Sequence, residues 1–263
     1  MRSGRIMFSK SPQASRFSQN RYFLKDSVRL EIDFSRTDQA RGLPAPPPQK
    51  PADPNLPRIR LVSPGEWKNI RKIDLETAIR NRESRRSFTK EPLTLEELSF
   101  LLWATQGVRA KLDRATVLKT VPSAGARHAL ETYLAVLRVE GLEPGIYRYL
   151  PLEHHLVQEF QESGLREKLV EATLGQRFVG ESAVVFIWTT IPYRMEWRYD
   201  LAAHKAIALD AGHVCQNLYL ACEAIRAGTC AVGAYHQQLM DRLVRVDGED
   251  EFVIYLAPVG KRP

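Results

Sequence analysis

Residues 201–228 read LAAHKAIALDAGHVCQNLYLACEAIRAG. Alanine and leucine favour helix and no proline interrupts residues 201–226, so this stretch predicts one helix of about seven turns. Gly228 is expected to take the left-handed conformation that often follows the last residue of a helix. Beyond it, the apolar residues 229–235 predict a strand, in which Gly233 indicates a close approach of another group to the backbone.

Apolar side chains cover most of the circumference of this predicted helix. Its polar residues share one arc when placed at about 100° per residue: Lys205, Asp210, His213, Gln216, Asn217 and Glu223. We therefore expect the helix to be buried nearly all round, in a core or a subunit interface. The polar residues also interrupt any apolar run of about 18 residues, which argues against a membrane span.

The composition indicates a soluble globular protein. The chain has 263 residues, of which 44% are apolar and 9% aromatic, enough to bury a sizeable core. Its cysteines are odd in number and are expected to be buried, reduced thiols: Cys215, Cys222 and Cys230. The N-terminal residues lack an apolar run that could serve as the core of a signal peptide, so we expect a cytoplasmic protein.

The net charge of +7 is unevenly distributed. Residues 1–72 contain 15 Lys and Arg against 6 Asp and Glu, so they carry +9 and the remaining residues −2. This basic region lacks aromatic residues interleaved with basic clusters and has no zinc-finger motif. The pattern argues against nucleic-acid binding and favours a solvated extension.

Proline governs the path of this extension. Residues 43–57 hold seven of the sixteen prolines, which favours an extended, polyproline-like path and excludes helix. The sequence therefore predicts two parts, an extended N-terminal arm at residues 1–57 and a folded domain at residues 58–263.

The first chemical signal lies at residues 82–88, which read RESRRSF. Arginine forks, a hydroxyl and backbone groups close together form a composition suited to phosphate. The alternative is an ordinary solvated arginine face.

The remaining elements mix without regular alternation. Helices are expected at 75–82, from the capping box Thr94-Leu-Glu-Glu97 to about 106, at 165–174 and at about 237–244. Strands are expected at 58–62, 131–139, 145–150, 156–160, 182–190 and 251–259. Residues 107–120 read as irregular, and Pro122 with Gly125 predicts a shaped turn. This order favours a layered α+β sheet over a barrel.

Taken together, these motifs resemble the nitroreductase superfamily. The matching segments are Arg-x-Ser-x-Arg-x-Phe at 82–88, Pro-Ser-Ala-Gly at 122–125, Leu-Asp-Ala-Gly-His at 209–213 with Gln216-Asn217-Leu218, and Cys-Ala-Val-Gly at 230–233. The chain is most similar to the SagB-type dehydrogenase branch, whose best-known members oxidise azoline rings in peptide natural products. The resemblance implies a three-layer α+β sandwich with a central mixed sheet, FMN in a cleft between two subunits, and a homodimer built on the long helix.

The resemblance also assigns residues to the cofactor. Arg82, Ser84 and Arg86 would contact the FMN phosphate and ribityl chain. Pro122, Ser123 and Ala124 of the partner subunit would lie along the flavin ring. Val232 and Gly233 would offer backbone groups to the other side of the ring. Lys261 and Arg262 lie where the family often places another basic contact to the phosphate.

Arg198-Tyr199 occupies the position of a Lys-Tyr pair in azoline dehydrogenases. Tyr199 could exchange a proton, whereas Arg198 could only orient or neutralise a group, because guanidinium does not lose its proton at neutral pH. The alternative is that Tyr199 is an interface aromatic beside an exposed arginine. His128, His204 and His213 are further candidates for proton transfer, and no Cys/His set has metal-ligand spacing, so no metal is expected.

Three functions follow from this resemblance. The first is a ping-pong oxidoreductase in which FMN N5 accepts hydride from NAD(P)H and passes it to a small organic acceptor. The second is an FMN-dependent dehydrogenase of peptide-derived azoline heterocycles. The third is a non-catalytic flavin-binding protein.

Overall fold

A seven-stranded sheet lies at the centre of the structure, a computed structural model that describes residues 17–263. The strands of the chain are β1 Arg58–Arg60, β2 Val108–Lys111, β3 Val117–Lys119, β4 Leu130–Val136, β5 Gly145–Leu150, β6 His155–Phe160, β7 Val184–Thr190, β8 Ala227–Thr229 and β9 Phe252–Lys261. The central sheet has the order β1-β6-β5-β4-β7-β9-β8. Its strands pair antiparallel, and parallel contacts occur as isolated bridges, Ser84 with Thr229 and Leu93 with Val139.

Helices cover both faces of this sheet. The helices of residues 17–263 are α1 Ser18–Leu24, α2 Leu75–Asn81, α3 Leu95–Gln106, α4 Leu165–Ala172, α5 Arg177–Glu181, α6 Tyr193–Tyr199, α7 Ala203–Ala224 and α8 Gln237–Val244. No helix within residues 17–263 is both long and apolar enough to cross a membrane.

Strand β7 shows how three layers form. Phe186 and Trp188 face a core shared with α3 and α7, whereas Val185 and Ile187 face a second core shared with α4, α5 and α8. All four side chains are 0% exposed. Because successive strand residues point to opposite faces, a continuously apolar strand indicates a sheet covered on both sides. The predicted three-layer α+β architecture is confirmed.

Side-chain caps start helices α2 and α3. The Asp74 carboxylate accepts the Thr77 N–H at 2.8 Å at the start of α2. At α3, Thr94 Oγ1 accepts the Glu97 N–H at 3.1 Å, and Glu97 Oε2 accepts the Thr94 N–H at 3.0 Å. The predicted capping box is therefore present, and it fixes where α3 begins.

The long helix ends differently from the prediction. Arg226, not Gly228, adopts the left-handed conformation, with φ of 53°. Gly228 instead lies in β8, where a Cβ atom would stand 2.7 Å from Cδ of Arg85. Its glycine identity serves the close approach of a neighbouring segment and not the termination of the helix.

The expectation that α7 is buried nearly all round is wrong for a single chain. Most of its side chains from Val214 onward are buried, with Leu218 0% exposed. Residues 208–216 present an exposed face, on which Ala208, Gly212 and Gln216 surround Leu209, itself 57% exposed. This surface, which we call the α7 face, is available to a second chain.

The described part of the arm is folded against the domain. Its proline-rich part is extended as predicted, but α1 and two 3-10 turns, Ser27–Glu31 and Phe34–Arg36, precede it. Trp197 accepts the Gln39 N–H on its carbonyl at 2.9 Å and donates its indole N–H to the Leu43 carbonyl at 3.0 Å. The division into an arm at 1–57 and a domain at 58–263 stays a prediction.

Two local elements differ from the sequence interpretation. Residues 107–120 were expected to be irregular, but β2 and β3 form an antiparallel hairpin there. Helix α6 was not anticipated, because residues 193–199 are rich in aromatic and charged residues and lack a side-chain cap.

Candidate functional site

The segment 82–86 leaves α2 and lies extended along strand β8. Ser84 bridges Thr229, and the Arg85 N–H donates to the Thr229 carbonyl at 2.9 Å. Glycines permit this contact, because a Cβ at Gly228 would meet the Arg85 side chain. The backbone therefore presents alternate side chains of this segment on opposite sides. We call residues 82–86 the arginine segment.

Two guanidinium groups of this segment have no carboxylate partner in the part of the chain that the structure describes. Arg82 lies over the Tyr219 ring at 5.3 Å and Arg86 near the Phe178 ring at 5.9 Å. Within residues 17–263, neither guanidinium lies within 4.0 Å of an acidic oxygen, although Arg85 between them pairs with a glutamate. Two uncompensated arginine forks beside an exposed serine hydroxyl form a donor set for an anion.

Tyr219 of α7 links the arginine segment to the strand end beyond β8. Its hydroxyl lies 2.9 Å from Ser84 Oγ and accepts the Ala231 N–H at 2.8 Å. Sequence reasoning missed this residue. No motif marks it, since a tyrosine on a core helix ordinarily packs as an apolar side chain.

The structure separates the predicted roles of Val232 and Gly233. Val232 is buried, its N–H donates to the Leu256 carbonyl at 2.8 Å, and its carbonyl accepts the Leu256 N–H at 3.3 Å. The N–H of Val232 is therefore not available to a flavin. Gly233 is exposed, and its assignment stays a prediction.

The C-terminal basic residues are engaged within the chain. Lys261 forms an ion pair with Glu97 and donates to the Ile225 carbonyl at 3.0 Å. Arg262 lies 3.2 Å from the buried Glu223 carboxylate. These pairs favour a structural role for both residues, and their predicted contact with phosphate remains a prediction.

The turn at 122–128 is as sharply shaped as its Pro-Ser-Ala-Gly sequence predicts. Gly125, Ala126 and His128 all have positive φ, at 57°, 53° and 47°. Ser123 Oγ stabilises this path by accepting the His128 N–H at 2.9 Å. Two non-glycine residues in the left-handed region store backbone strain, which concentrates at functional sites.

The structure places Arg198 and Tyr199 directly on this turn. A Cβ at Gly125 would overlap the Tyr199 hydroxyl and stand 3.2 Å from Arg198 Cδ. The Arg198 guanidinium lies 5.5 Å from the centre of the Tyr199 ring. Both side chains are half-buried. The two residues predicted as catalytic therefore adjoin the turn predicted to line the flavin.

Asp210 of α7 lies beneath the same turn. Burial raises the pKa of its carboxyl, while interactions with the Ser123 hydroxyl and the Ala124 N–H lower it by less. Its Oδ2 atom is buried and has no hydrogen-bond partner in the described residues. Asp210 therefore stabilises the turn through Ser123 and Ala124, although burial disfavours its charged form.

Tyr219 and Asp210 divide the site into two halves. They are nine positions apart on α7, which corresponds to about 14 Å along the helix and about half a rotation around it. The arginine segment and the 122–128 turn therefore lie on opposite sides of α7.

The candidate histidines have separate environments. His204 Nε2 lies 2.8 Å from Glu196, and His213 Nδ1 lies 4.0 Å from Asp210. Burial is the main cause that lowers the pKa of His128 to about 3, so His128 is neutral near pH 7. Within residues 17–263, no group of three His, Cys, Asp or Glu side chains is placed to hold a metal ion.

The sequence and the fold of the chain are similar to those of known proteins. The sequence model of the nitroreductase family matches residues 79–261 of this chain. A nitroreductase homologue of Methanocaldococcus jannaschii is 34% identical over 194 residues, which cover 74% of this chain and 94% of that protein. A solved nitroreductase-type structure from Ralstonia eutropha is 26% identical with a TM-score of 0.65, covering 84% of this chain and 99% of that one.

A more distant relative bears on the SagB-type resemblance. The trifolitoxin-processing protein TfxF of Rhizobium leguminosarum is 34% identical over 125 residues, which cover 46% of this chain and 40% of that protein. The chain thus spans less than half the length of this relative. The similarity supports the placement near the SagB-type branch that the motifs predicted.

Proposed function

The chain belongs to the nitroreductase family, and we propose that it is an FMN-dependent oxidoreductase. In this proposal it takes hydride from NAD(P)H and passes it to a small organic acceptor in a ping-pong cycle. The observation that carries the proposal is the arginine segment, where Arg82, Ser84 and Arg86 lie extended along β8 and neither guanidinium has a carboxylate partner among the described residues.

The donor chemistry of this segment fits a phosphate monoester. Arginine forks match phosphate oxygens in charge and geometry, and the exposed Ser84 hydroxyl adds a neutral donor beside them. The chain also has no Gly-x-Gly-x-x-Gly fingerprint of the kind that binds the pyrophosphate of a dinucleotide. Both observations favour FMN over FAD.

When bound, FMN supplies the N5 atom that accepts and returns a hydride. The residues of the chain hold the cofactor and donate or accept the proton that is transferred in the second half-reaction. Tyr199 carries a hydroxyl beside the 122–128 turn and can exchange that proton, whereas Arg198 stays charged and can orient or neutralise a group. Pro122, Ser123 and Ala124 provide the backbone-lined wall on which a flat ring would lie.

A homodimer completes this site in the proposal. The arginine segment and the 122–128 turn lie on opposite sides of α7, and the α7 face is exposed in a single chain. Pairing two α7 faces would cover Leu209 and bring the turn of one chain toward the arginine segment of its partner. Each cleft would then contain residues of both chains.

The colour of the purified protein tests the cofactor assignment. We expect a yellow protein that releases FMN on denaturation, identified by chromatography against FMN, FAD and riboflavin standards. A colourless protein that takes up none of these flavins would refute the proposal, and release of FAD would refute the phosphate assignment.

A second function is favoured by the similarity to trifolitoxin-processing proteins. In this alternative, the flavin oxidises a peptide-derived azoline heterocycle, and Arg198-Tyr199 replaces the Lys-Tyr pair of azoline dehydrogenases. Arg198→Lys restores that pair. Azoline oxidation that appears or increases in this variant would favour the second function over the first.

A third possibility is a flavin-binding protein without catalysis. Anaerobic addition of NADH or NADPH distinguishes it from the first proposal, because reduction bleaches the yellow absorption. A bound flavin that stays oxidised with both nucleotides and with candidate organic donors would favour the non-catalytic alternative.

A further inference from the structure

The Tyr219 hydroxyl joins two segments that are far apart in the sequence. Ser84 Oγ lies 2.9 Å from it, across a separation of 135 positions. The Ala231 N–H donates to the same oxygen at 2.8 Å. One phenol group therefore connects the arginine segment with the strand end that follows β8.

The direction of these hydrogen bonds follows from counting protons. A backbone N–H can only donate, so the Tyr219 oxygen is an acceptor toward Ala231. The phenol proton then needs an acceptor of its own. The 2.9 Å contact fits donation by either hydroxyl, and we take Tyr219 as the donor because this direction gives its proton an acceptor within residues 17–263.

Ser84 is thereby left with its own proton to donate elsewhere. Its oxygen receives the Tyr219 proton on one side, and the residue is exposed on the other. A hydroxyl that already accepts one hydrogen bond becomes a stronger donor in the next, since bonds in a chain polarise one another. The Ser84 hydroxyl is therefore suited to donate a hydrogen bond to an oxygen that acts only as an acceptor.

Arg82 reinforces this preference. Its guanidinium carbon lies 5.3 Å from the centre of the Tyr219 ring, so the same ring positions a cation next to the serine. A cation and a committed hydroxyl donor suit an anionic oxygen and do not suit a neutral hydroxyl that must itself donate.

We propose that Tyr219 is a positioning residue that fixes Ser84 as a hydrogen-bond donor to a phosphate monoester oxygen. The inference rests on the proposed function, since the monoester in question is that of FMN. It goes further because it assigns part of the preference for FMN over riboflavin to Tyr219, a residue that does not contact the flavin in this proposal. Tyr219 acts through Ser84 and through the placement of Arg82.

The test compares FMN with riboflavin, which lacks the phosphate. Affinities for both flavins are measured by fluorescence titration of flavin-free protein whose fold has been checked by circular dichroism. Tyr219→Phe retains the ring under Arg82 and deletes only the hydroxyl. Tyr235→Phe is the matched control, because the Tyr235 hydroxyl also donates one hydrogen bond, to the Val253 carbonyl at 2.8 Å, in the other core.

We expect Ser84→Ala to weaken FMN binding about tenfold or more, as for a lost hydrogen bond to a charged group. Tyr219→Phe should weaken FMN binding about fivefold and riboflavin binding less than about twofold. The double variant should match Ser84→Ala alone, because Tyr219 acts through Ser84. Ser84→Thr retains the hydroxyl and should recover most of the preference for FMN.

The results distinguish failure of the proposed phosphate site from failure of the role assigned to Tyr219. A wild-type protein that binds no flavin, or that binds riboflavin as tightly as FMN, would refute the proposed phosphate site and the inference with it. Normal FMN preference in the wild type with equal losses for both flavins in Tyr219→Phe would overturn only the role of Tyr219. Additive losses in the double variant would overturn it as well.

Discussion

The hydroxyl of Tyr199 rests against the α-carbon of Gly125, where a single added methyl group would overlap its oxygen. Tyr199 ends α6, and Gly125 occupies a left-handed position of the 122–128 turn. The position of a proposed proton-transfer group is thus set by a neighbour that has no side chain. Substitutions of Gly125 and of Tyr199 test this contact separately.

Gly125→Ala should displace Tyr199 and destabilise the protein. A positive φ costs a non-glycine residue about 1–2 kcal/mol, and the overlap with Tyr199 adds to that. Gly141→Ala is the matched control, because Gly141 has φ of 77° and no atom within 4 Å of an added Cβ. Urea unfolding should show a larger loss for Gly125→Ala, and equal losses would mean that Tyr199 yields without cost.

Tyr199→Phe should separate the two half-reactions of the proposed cycle. Hydride transfer from NAD(P)H takes no proton from a side chain, so anaerobic stopped-flow should show flavin reduction within about threefold of wild type. Reoxidation by an acceptor that must be protonated should slow about 100-fold or more. Equal slowing of both steps would mean that Tyr199 only shapes the cleft.

Arg86→Ala should reduce FMN affinity. The guanidinium has no carboxylate partner in the described residues, so its loss removes a contact to phosphate of about 1.5–3 kcal/mol, or about tenfold or more in affinity. Arg80→Ala is the control, since Arg80 is an exposed α2 arginine that pairs with Glu76. If both variants bind FMN equally well, Arg86 belongs to an ordinary solvated face.

Leu209→Lys should prevent dimer formation and leave the folded chain intact. The side chain is 57% exposed in one chain and lies on the α7 face, so a charge there is tolerated in a monomer and not in an interface. Leu218 is 0% exposed, and a lysine at that position would unfold the core instead. Light scattering would measure the molar mass in solution, which should fall to that of a single chain in Leu209→Lys.

Leu174→Lys is the matched control for this experiment, because Leu174 is 63% exposed and adjoins α4 on the other side of the sheet. It should leave the mass unchanged. A Leu209→Lys protein that remains a dimer would show that another surface forms the interface.

Lys119 should make stability increase with pH in the alkaline range. Burial lowers its pKa in the folded protein from 10.5 to about 8, despite the favourable charge of Glu131. Between these two values Lys119 binds more protons in the unfolded chain than in the folded one, so it contributes a rise of up to about 1.4 kcal/mol per pH unit to the free energy of unfolding.

Lys119→Met should remove this slope between pH 8 and 10, although it also deletes the hydrogen bond to Gln106 and lowers the overall stability. Lys90→Met, at an exposed lysine, should retain it. Urea midpoints measured at unit pH steps would decide, and parallel profiles for wild type and Lys119→Met would contradict the assignment.

Local signals in the sequence predicted most of the fold. The capping box at Thr94 and the unbroken apolar run of β7 each identify an element without reference to the rest of the chain. Gly228 was misinterpreted because a glycine after a helix has two uses, as a left-handed stop or as a site of close approach. Only the position of the Arg85 side chain distinguishes them.

The candidate site was predictable only where a motif carries it. The arginine segment is contiguous, so its composition alone indicated a phosphate. Tyr219 is brought to Ser84 by the packing of α7 against β8, and a contact across 135 positions leaves no local trace. Likewise, the engagement of Lys261 by Glu97 depends on the register of β9, which terminal sequence does not reveal.

The described arm has a consequence for the order in which the chain can fold during synthesis. Lys50 donates its N–H to Glu131, 81 positions later, and its carbonyl accepts from Arg148, 98 positions later. Its ammonium pairs with Glu251, which follows it by 201 positions. Although Lys50 leaves the ribosome before all three partners, its full set of contacts must wait for Glu251, so complete docking of this part of the arm is a late step of folding on a translating ribosome.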